Sequence, residues 1–272
     1  MALPHTSPAV VVGVDGSRAA VRAALWALDE AGWRGLPLRL VAAAEPGTDP
    51  AAAEDALREA AAALHAVDPA VEIATRIVAA GPIVALLEAS RNAAMICVGL
   101  IGLKHFDHAR VGSTAGALIA SAHCPITVVR SGDRPDPAAP GWVVAELDQT
   151  PESAGVLQYA VEEARMRRTP LRVLGIWQSG QTTASESDRA VRAQLDRRLE
   201  TWRHRYPDLD VAPIAVRDSG LDWLAANAGA IQLVVIGARN GTGAAELLGP
   251  RGLAALRDSD CSVLIVDSQR LL

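Results

Sequence analysis

The sequence predicts an α/β protein made of two tandem open five-stranded, mainly parallel sheets, each flanked by helices. Three observations predict it. Short apolar runs alternate with amphipathic stretches along the chain. A segment rich in Pro, Gly and Asp, SGDRPDPAAPG at 131–141, interrupts the pattern near the middle. The two sides of that segment resemble each other.

The repeat is seen in paired stretches. AVVVGVDGS opens the first half and WVVAELDQT the second; MICVGLIG is echoed by QLVVIGARN, and AHCPITVVR by SDCSVLIVD. The spacings agree: Asp15 to Asp148 is 133 residues, Gly99 to Gly237 is 138, and Gly112 to Gly249 and Cys124 to Cys261 are both 137. Landmarks in one order at nearly constant offset indicate tandem copies with small insertions. The expected division is therefore a domain at 1–130, a linker at 131–141 and a second domain at 142–272.

In the first half the expected strands are Val10–Val14, Leu38–Ala43, Val71–Ile77, Met95–Val98 and Ile126–Val129. They are mostly apolar rather than alternating, as suits strands covered on both faces. The stretches between them read as helices. Val21, Leu25 and Leu28 form one apolar stripe with Asp29 and Glu30 off it, and Gly32 and Gly35 end that helix. Further helices run from Ala51 to His65, from Pro82 onward through Ile83, Leu86 and Leu87, and from Thr114 to Ala122. Alternating strands and helices imply right-handed parallel βαβ units and a doubly wound sheet. Ligands of such sheets sit at the carboxyl ends of the strands, where strand order reverses. Asp15 and Gly99 both follow strands and belong on that rim.

Composition narrows the function. The net charge is −5, which argues against a general nucleic-acid binder. Of 26 basic residues only Lys104 is lysine, a bias that fits a GC-rich genome. The three cysteines form no CxxC pair, and so sparse a set suits a reducing cytoplasm. The N-terminus lacks the pattern of a signal peptide. The longest uncharged run, Trp223 to Ala238, falls short of the roughly 20 apolar residues of a membrane span. A cytoplasmic protein without membrane segments is expected. The six tryptophans are scattered and read as core and helix-packing residues. The arginine-rich segment Arg189–Arg205 reads as a solvated amphipathic helix.

The candidate site is GLIGLKHFDHARVGST, residues 99–114. A glycine directly after a strand lets the backbone turn and approach a ligand. Free N–H groups before a helix, helped by its dipole, form an anion site. Gly112, Ser113 and Thr114 open such a helix, and their amides and hydroxyls suit phosphate oxygens. Ser113 or Thr114 can equally serve as an N-cap. Lys104 either reaches a terminal phosphate or is a solvated loop lysine. His105 and His108 flank Asp107 at a spacing poor for a metal and read as polar loop residues. Asp15, before Gly16 and Ser17, caps the next helix or binds a ribose hydroxyl or a metal ion.

The pattern Gly-x2-Gly-x9-Gly-Ser at Gly99, Gly102, Gly112 and Ser113, with the early Val-Gly-Val-Asp-Gly-Ser, resembles the universal stress protein family. The duplicated layout is similar to its tandem members in actinobacteria. That resemblance implies a flavodoxin-like or Rossmann-like fold, a role in stress response and ATP binding in members with the glycine pattern. It also implies site roles. Asp15 would contact the ribose or a phosphate-bound Mg²⁺, and Gly13 would lie beside the nucleotide. Ala43 would meet the adenine through its backbone, and Val98 and Gly99 would flank the ribose and phosphates. Gly102, Gly112, Ser113 and Thr114 would cradle the triphosphate. Single-copy relatives dimerise, often through their last strands, so Ile126–Val129 and Val263–Val266 are expected to pair as an internal pseudo-dimer. Whole-chain dimers and a protein partner are further expectations.

The second copy departs from the pattern. Asn240 replaces the second glycine, the spacing is one residue short, and Pro250 stands where the hydroxyl residue belongs. Proline supplies neither a hydroxyl nor a backbone N–H. Gln149 and Thr150 replace Gly-Ser after Asp148. The second site is expected to bind nucleotide weakly or not at all. No strong catalytic set is present, so a nucleotide-binding regulatory protein is expected rather than an enzyme. A nucleotide-free scaffold and a slow ATPase, with Asp107 and His108 as its nearest candidate bases, are the alternatives.

Overall fold

The computed structural model describes residues 8–47, 49–100, 113–130, 141–148, 150, 153–178, 183–238, 243–256 and 261–267. The chain divides into two compact units, Met1–Arg134 and Pro135–Arg270.

In the first unit the elements run β1 (Ala9–Gly13), α1 (Arg18–Arg34), β2 (Leu38–Ala43), α2 (Ala51–Val67), β3 (Ile73–Val78), α3 (Pro82–Ser90), β4 (Ala93–Gly99), α4 (Ser113–Ser121) and β5 (Ile126–Val129). The strands lie in the order β3-β2-β1-β4-β5, all parallel. Val10, Val11 and Val12 are fully buried, as expected for a central strand covered by helices on both faces. Alanines 20, 23, 24, 27 and 31 give α1 a smooth buried face, which lets the helix lie close to the sheet.

The turn into α1 is built from three adjacent residues. The Ser17 amide donates to Asp15 Oδ1 at 3.0 Å, and the Ser17 hydroxyl accepts from the Ala20 amide at 3.1 Å, capping the helix. Gly16 adopts φ +81°, a left-handed conformation that glycine takes without strain. At the other end Gly35 alone closes the helix, at φ +63°, while Gly32 lies within it. This corrects the expectation that both glycines mark the end: one left-handed residue suffices to satisfy the last carbonyls. The third strand also starts two residues later than its apolar run suggests, because Asp68 and the residues after it form the turn that leaves α2.

The second unit contains β6 (Trp142–Leu147), α5 (Ser153–Met166), β7 (Leu171–Trp177), α6 (Ala184–Arg205), β8 (Val211–Arg217), α7 (Gly220–Ala226), β9 (Ile231–Gly237), α8 (Gly243–Leu247), α9 (Pro250–Ala255) and β10 (Ser262–Val266). Its strands take the corresponding order, β8-β7-β6-β9-β10, again all parallel. The arginine-rich segment is helix α6, opened by a Thr183–Glu186 capping box and burying only Leu195 and Leu199. Trp26 is buried, and Trp142 stacks on Trp223 with centroids 6.4 Å apart. Trp33 is 45% exposed on the last turn of α1, so it is not the core residue that was expected. Among the described residues no helix is long and apolar enough to cross a membrane.

One packing device occurs in both units. Glu30 is fully buried and accepts from Arg34 Nε at 3.0 Å one turn later. Glu163, the same position of the second copy, is also fully buried and pairs with Arg167. Removing one partner of a buried pair leaves an uncompensated charge in a poor solvent for it. We expect Glu30→Ala and Glu163→Ala each to cost about 3–5 kcal/mol of stability in urea unfolding.

All three cysteines are free and buried. Burial pushes the Cys124 thiol up to about 12, against a weaker opposing hydrogen bond from the Ile96 backbone. Thiol reagents should leave the native chain unlabelled at pH 8 and label it on unfolding. The folded state holds the Cys124 proton where the unfolded state releases it, so this contribution to stability falls as pH rises from about 9 to about 12. A Cys124→Ala variant should lose the corresponding slope, about 1.4 kcal/mol per pH unit.

Candidate functional site

The strand order of the first unit reverses between β1 and β4. From β1 the chain passes outward through β2 to β3, and the next strand, β4, returns to the other side of β1. The two crossovers leave the rim in opposite directions, and it is at such a point that ligands of doubly wound sheets bind. Four expected site residues meet at this point. Gly13 ends β1, Val98 and Gly99 end β4, and Asp15 lies two residues past β1 in the turn to α1. Ala43 ends the neighbouring β2, two residues beyond the Gly13–Val41 register pair. Asp15 is exposed and Val98 is buried.

Ser113 and Thr114 form the start of α4, a nine-residue helix that begins at the carboxyl side of the sheet and returns the chain to β5. Ser113 is exposed and Thr114 half-buried. The first amides of a helix have no intrahelical acceptor, and such amides can serve an anion. Gly102, Lys104 and Gly112, together with His105, Asp107 and His108, lie outside the described residues.

Two glycines of the pattern have packing roles of their own. A Cβ on Gly99 would stand 2.7 Å from the Ala19 carbonyl carbon and 2.8 Å from its oxygen. That contact is backbone, in the first turn of α1, and cannot swing aside. A Cβ on Gly13 would meet Leu86 Cδ1 at 2.8 Å. The absent side chains therefore let α1 and α3 seat on the sheet, whatever the backbone at these positions does toward a ligand.

The corresponding rim of the second unit is constructed differently. Asp148 is half-buried, and its Oδ1 accepts from the Thr150 amide at 2.9 Å, the Thr150 hydroxyl at 2.7 Å and the Ser153 hydroxyl. Arg198 Nη1, from the middle of α6, donates to the Asp148 main-chain oxygen at 2.7 Å. Burial works to raise the Asp148 carboxyl, but hydrogen bonds from Ser153 and Thr150 and the charge of Arg198 outweigh it and hold it below the usual range. Glu146, at the register position of Gly13, is 3% exposed. The Trp177 indole, one residue past the counterpart of Ala43, donates to Asp188 at 2.7 Å. In place of the single helix α4 stand the short helices α8 and α9, and the second opens on Pro250.

Ser153, Arg198, Glu146 and Trp177 were not singled out from the sequence. The repeat offset carried a signal for them, since it aligns Ser153 with Ala20, Arg198 with Ala60 and Glu146 with Gly13. Among the described residues no three His, Cys, Asp or Glu side chains gather into a metal-binding group.

Comparison with known proteins places both units together. The family model of the universal stress protein family matches residues 8–130 and again 143–267. Universal stress protein Rv2028c of Mycobacterium tuberculosis is 41% identical over 98% of this chain and 99% of its own length. Universal stress protein Rv2624c of the same organism is 39% identical over 96% of this chain and 97% of its own. The crystal structure of a universal stress protein from Archaeoglobus fulgidus superposes over 97% of both chains with a TM-score of 0.71 at 15% identity, a likeness of fold. With the strand order, the duplicated rim and these matches, the chain belongs to the universal stress protein family, in a tandem two-copy form.

Proposed function

We propose that the first unit binds an adenine nucleotide, ATP in the first instance, and that the chain acts as a regulatory nucleotide sensor rather than an enzyme. The observation that carries this reading is the meeting at one switch point of a strand-end carboxylate, Asp15, with the backbone ends of β1, β2 and β4. Ser113 and Thr114 then open the helix that follows β4. In this arrangement the α4 amides and hydroxyls hold phosphate oxygens, with Gly102, Lys104 and Gly112 of the sequence between β4 and α4. Asp15 takes a ribose hydroxyl or a water of phosphate-bound Mg²⁺. Ala43 offers backbone groups to the base. The chain's own part is binding and orientation: it presents donors to the phosphates.

A nucleotide-free scaffold is the second reading. It is favoured by the packing at Gly13 and Gly99, which explains both glycines without any ligand. The same packing makes Gly99 a poor test position, since even alanine there disturbs the fold.

The test is therefore made at the start of the phosphate helix. Adenine nucleotide released on denaturing the purified full-length protein, with and without prior Mg-ATP, is measured for the wild type, Gly112→Val and Gly249→Val. We expect close to one nucleotide per chain, lost in Gly112→Val and retained in Gly249→Val. Two per chain would make both units nucleotide sites. None after loading would leave the scaffold, and phosphate release in proportion to bound nucleotide over minutes would leave the ATPase.

A further inference from the structure

Each unit has a strand that pairs with one described neighbour only, β3 in the first and β8 in the second. Such an edge presents a row of backbone donors and acceptors, and proteins commonly blunt it. The second unit does so. The Leu171 amide donates to the Asp210 carbonyl at 2.8 Å, so Ala212, Ile214 and Val216 turn their backbone groups to β7, and Val211, Pro213 and Ala215 turn theirs outward. Pro213 has no N–H to offer there, and Arg203 Nη2 of α6 donates to the outward Val211 carbonyl at 3.5 Å. In the first unit the Ala44 amide donates to the Val78 carbonyl at 2.9 Å, which turns Ala74, Arg76 and Val78 to β2 and Ile73, Thr75 and Ile77 outward. Thr75 stands where the second copy has Pro213, and among the described residues nothing bonds the outward groups of Ile73, Thr75 and Ile77. Beside this edge Thr75 and Ile77 line an open cleft of about 500 Å³ with Glu54, Leu57, Arg58 and Ala61 of α2. Glu54 and Arg58 are exposed one helical turn apart, and Arg58 bonds the equally exposed Asp55. On the other face of β3, Arg76 bonds Glu88 of α3 at 3.4 Å.

We propose that β3 pairs edge to edge with β3 of a second copy of this chain, antiparallel about a two-fold axis at Thr75, so that two first units share one continuous sheet. Register and charge select this occupant. About that axis the Thr75 backbone groups of the two copies bond each other, and Ile73 of each copy faces Ile77 of the other on the α2 side. Arg76 of each faces Ala74 of the other, so like charges do not stand directly opposite. The two α2 helices run antiparallel across the joined clefts, with Glu54 of each toward Arg58 of the other. A strand of one charge sign would meet a like charge on this wall, whereas a second copy carries both signs in reverse order. The contact is isologous and closes at two chains. With Pro213 blunting the other edge, pairing through β3 does not continue into a filament. This interface holds whether or not the first unit binds a nucleotide.

The test is sedimentation velocity of the full-length chain without added nucleotide, from about 1 to about 100 µM, a span that separates micromolar association from none. The variants are Thr75→Pro, Glu54→Arg and Arg58→Glu. Thr75→Pro removes an outward N–H and no bond to β2, and the second unit already carries proline at this position. We expect a wild-type dimer, and dimerisation weakened about tenfold or more by Thr75→Pro. Glu54→Arg and Arg58→Glu should each weaken it alone, by setting like charges across the axis. An equal mixture of these two variants should dimerise as the wild type does, because each then supplies the charge that the other lacks. That rescue guards against a Thr75→Pro chain that fails to fold, since a folding defect in either single variant is not repaired by mixing. A wild type monomeric throughout would overturn the proposal and leave the edge to a strand of another protein. A dimer untouched by a folded Thr75→Pro, or single charge variants that mixing does not restore, would overturn it equally.

Discussion

The pairing of β1 with β4 is the constraint on which the rim of the first unit depends. Parallel strands cannot be joined by a tight turn, so each connection must cross a face of the sheet as a helix. Because β1 is flanked by β2 on one side and β4 on the other, the chain leaves it one way and returns the other. The first turn of α1 packs directly against the end of β4. Gly99 permits that, since its missing side chain is where the backbone of Ala19 lies. The Asp15–Gly16–Ser17 turn then fixes where the helix begins, through one hydrogen bond to Asp15 and one to Ser17. A packing requirement and a cap thereby place a carboxylate at the carboxyl rim of the sheet.

The duplication separates what the fold needs from what a ligand needs. Both units keep the strand order, the strand-end aspartate and the fully buried glutamate paired to an arginine one turn later. These belong to the architecture, and their recurrence at matching positions follows from the same burial in each copy. The differences gather at the rim: Glu146 for Gly13, Ser153 for Ala20, Arg198 for Ala60, and two short helices where the first unit has α4. Glu146, Ser153 and Arg198 each place a polar side chain where the first unit has glycine or alanine.

Much of this was legible in the residues. Apolar runs of four to seven residues mark buried parallel strands whatever surrounds them, and the offsets between Asp15 and Asp148 or Cys124 and Cys261 reveal the copy. Errors fell at boundaries decided by single hydrogen bonds, such as Gly32 inside α1 rather than at its end. The apolar stripe of α1 leaves Glu30 off it, yet Glu30 is fully buried while Val21 and Leu25 of that stripe are half-buried. Its spacing to Arg34 is that of any surface ion pair and does not reveal this. Only the depth of the helix in the unit distinguishes it.

The sequence by itself determined the α/β class, the two-copy layout and the presence of Pro250 where the first copy has a hydroxyl residue. These follow from local periodicity, turn chemistry and repetition, all of which are written along the chain. Only the tertiary structure decided that Gly99 makes room for Ala19, and that Arg198 reaches the turn holding Asp148 fifty residues before it. Such facts depend on which helix lies over which strand end, a distance through space that no spacing along the chain encodes.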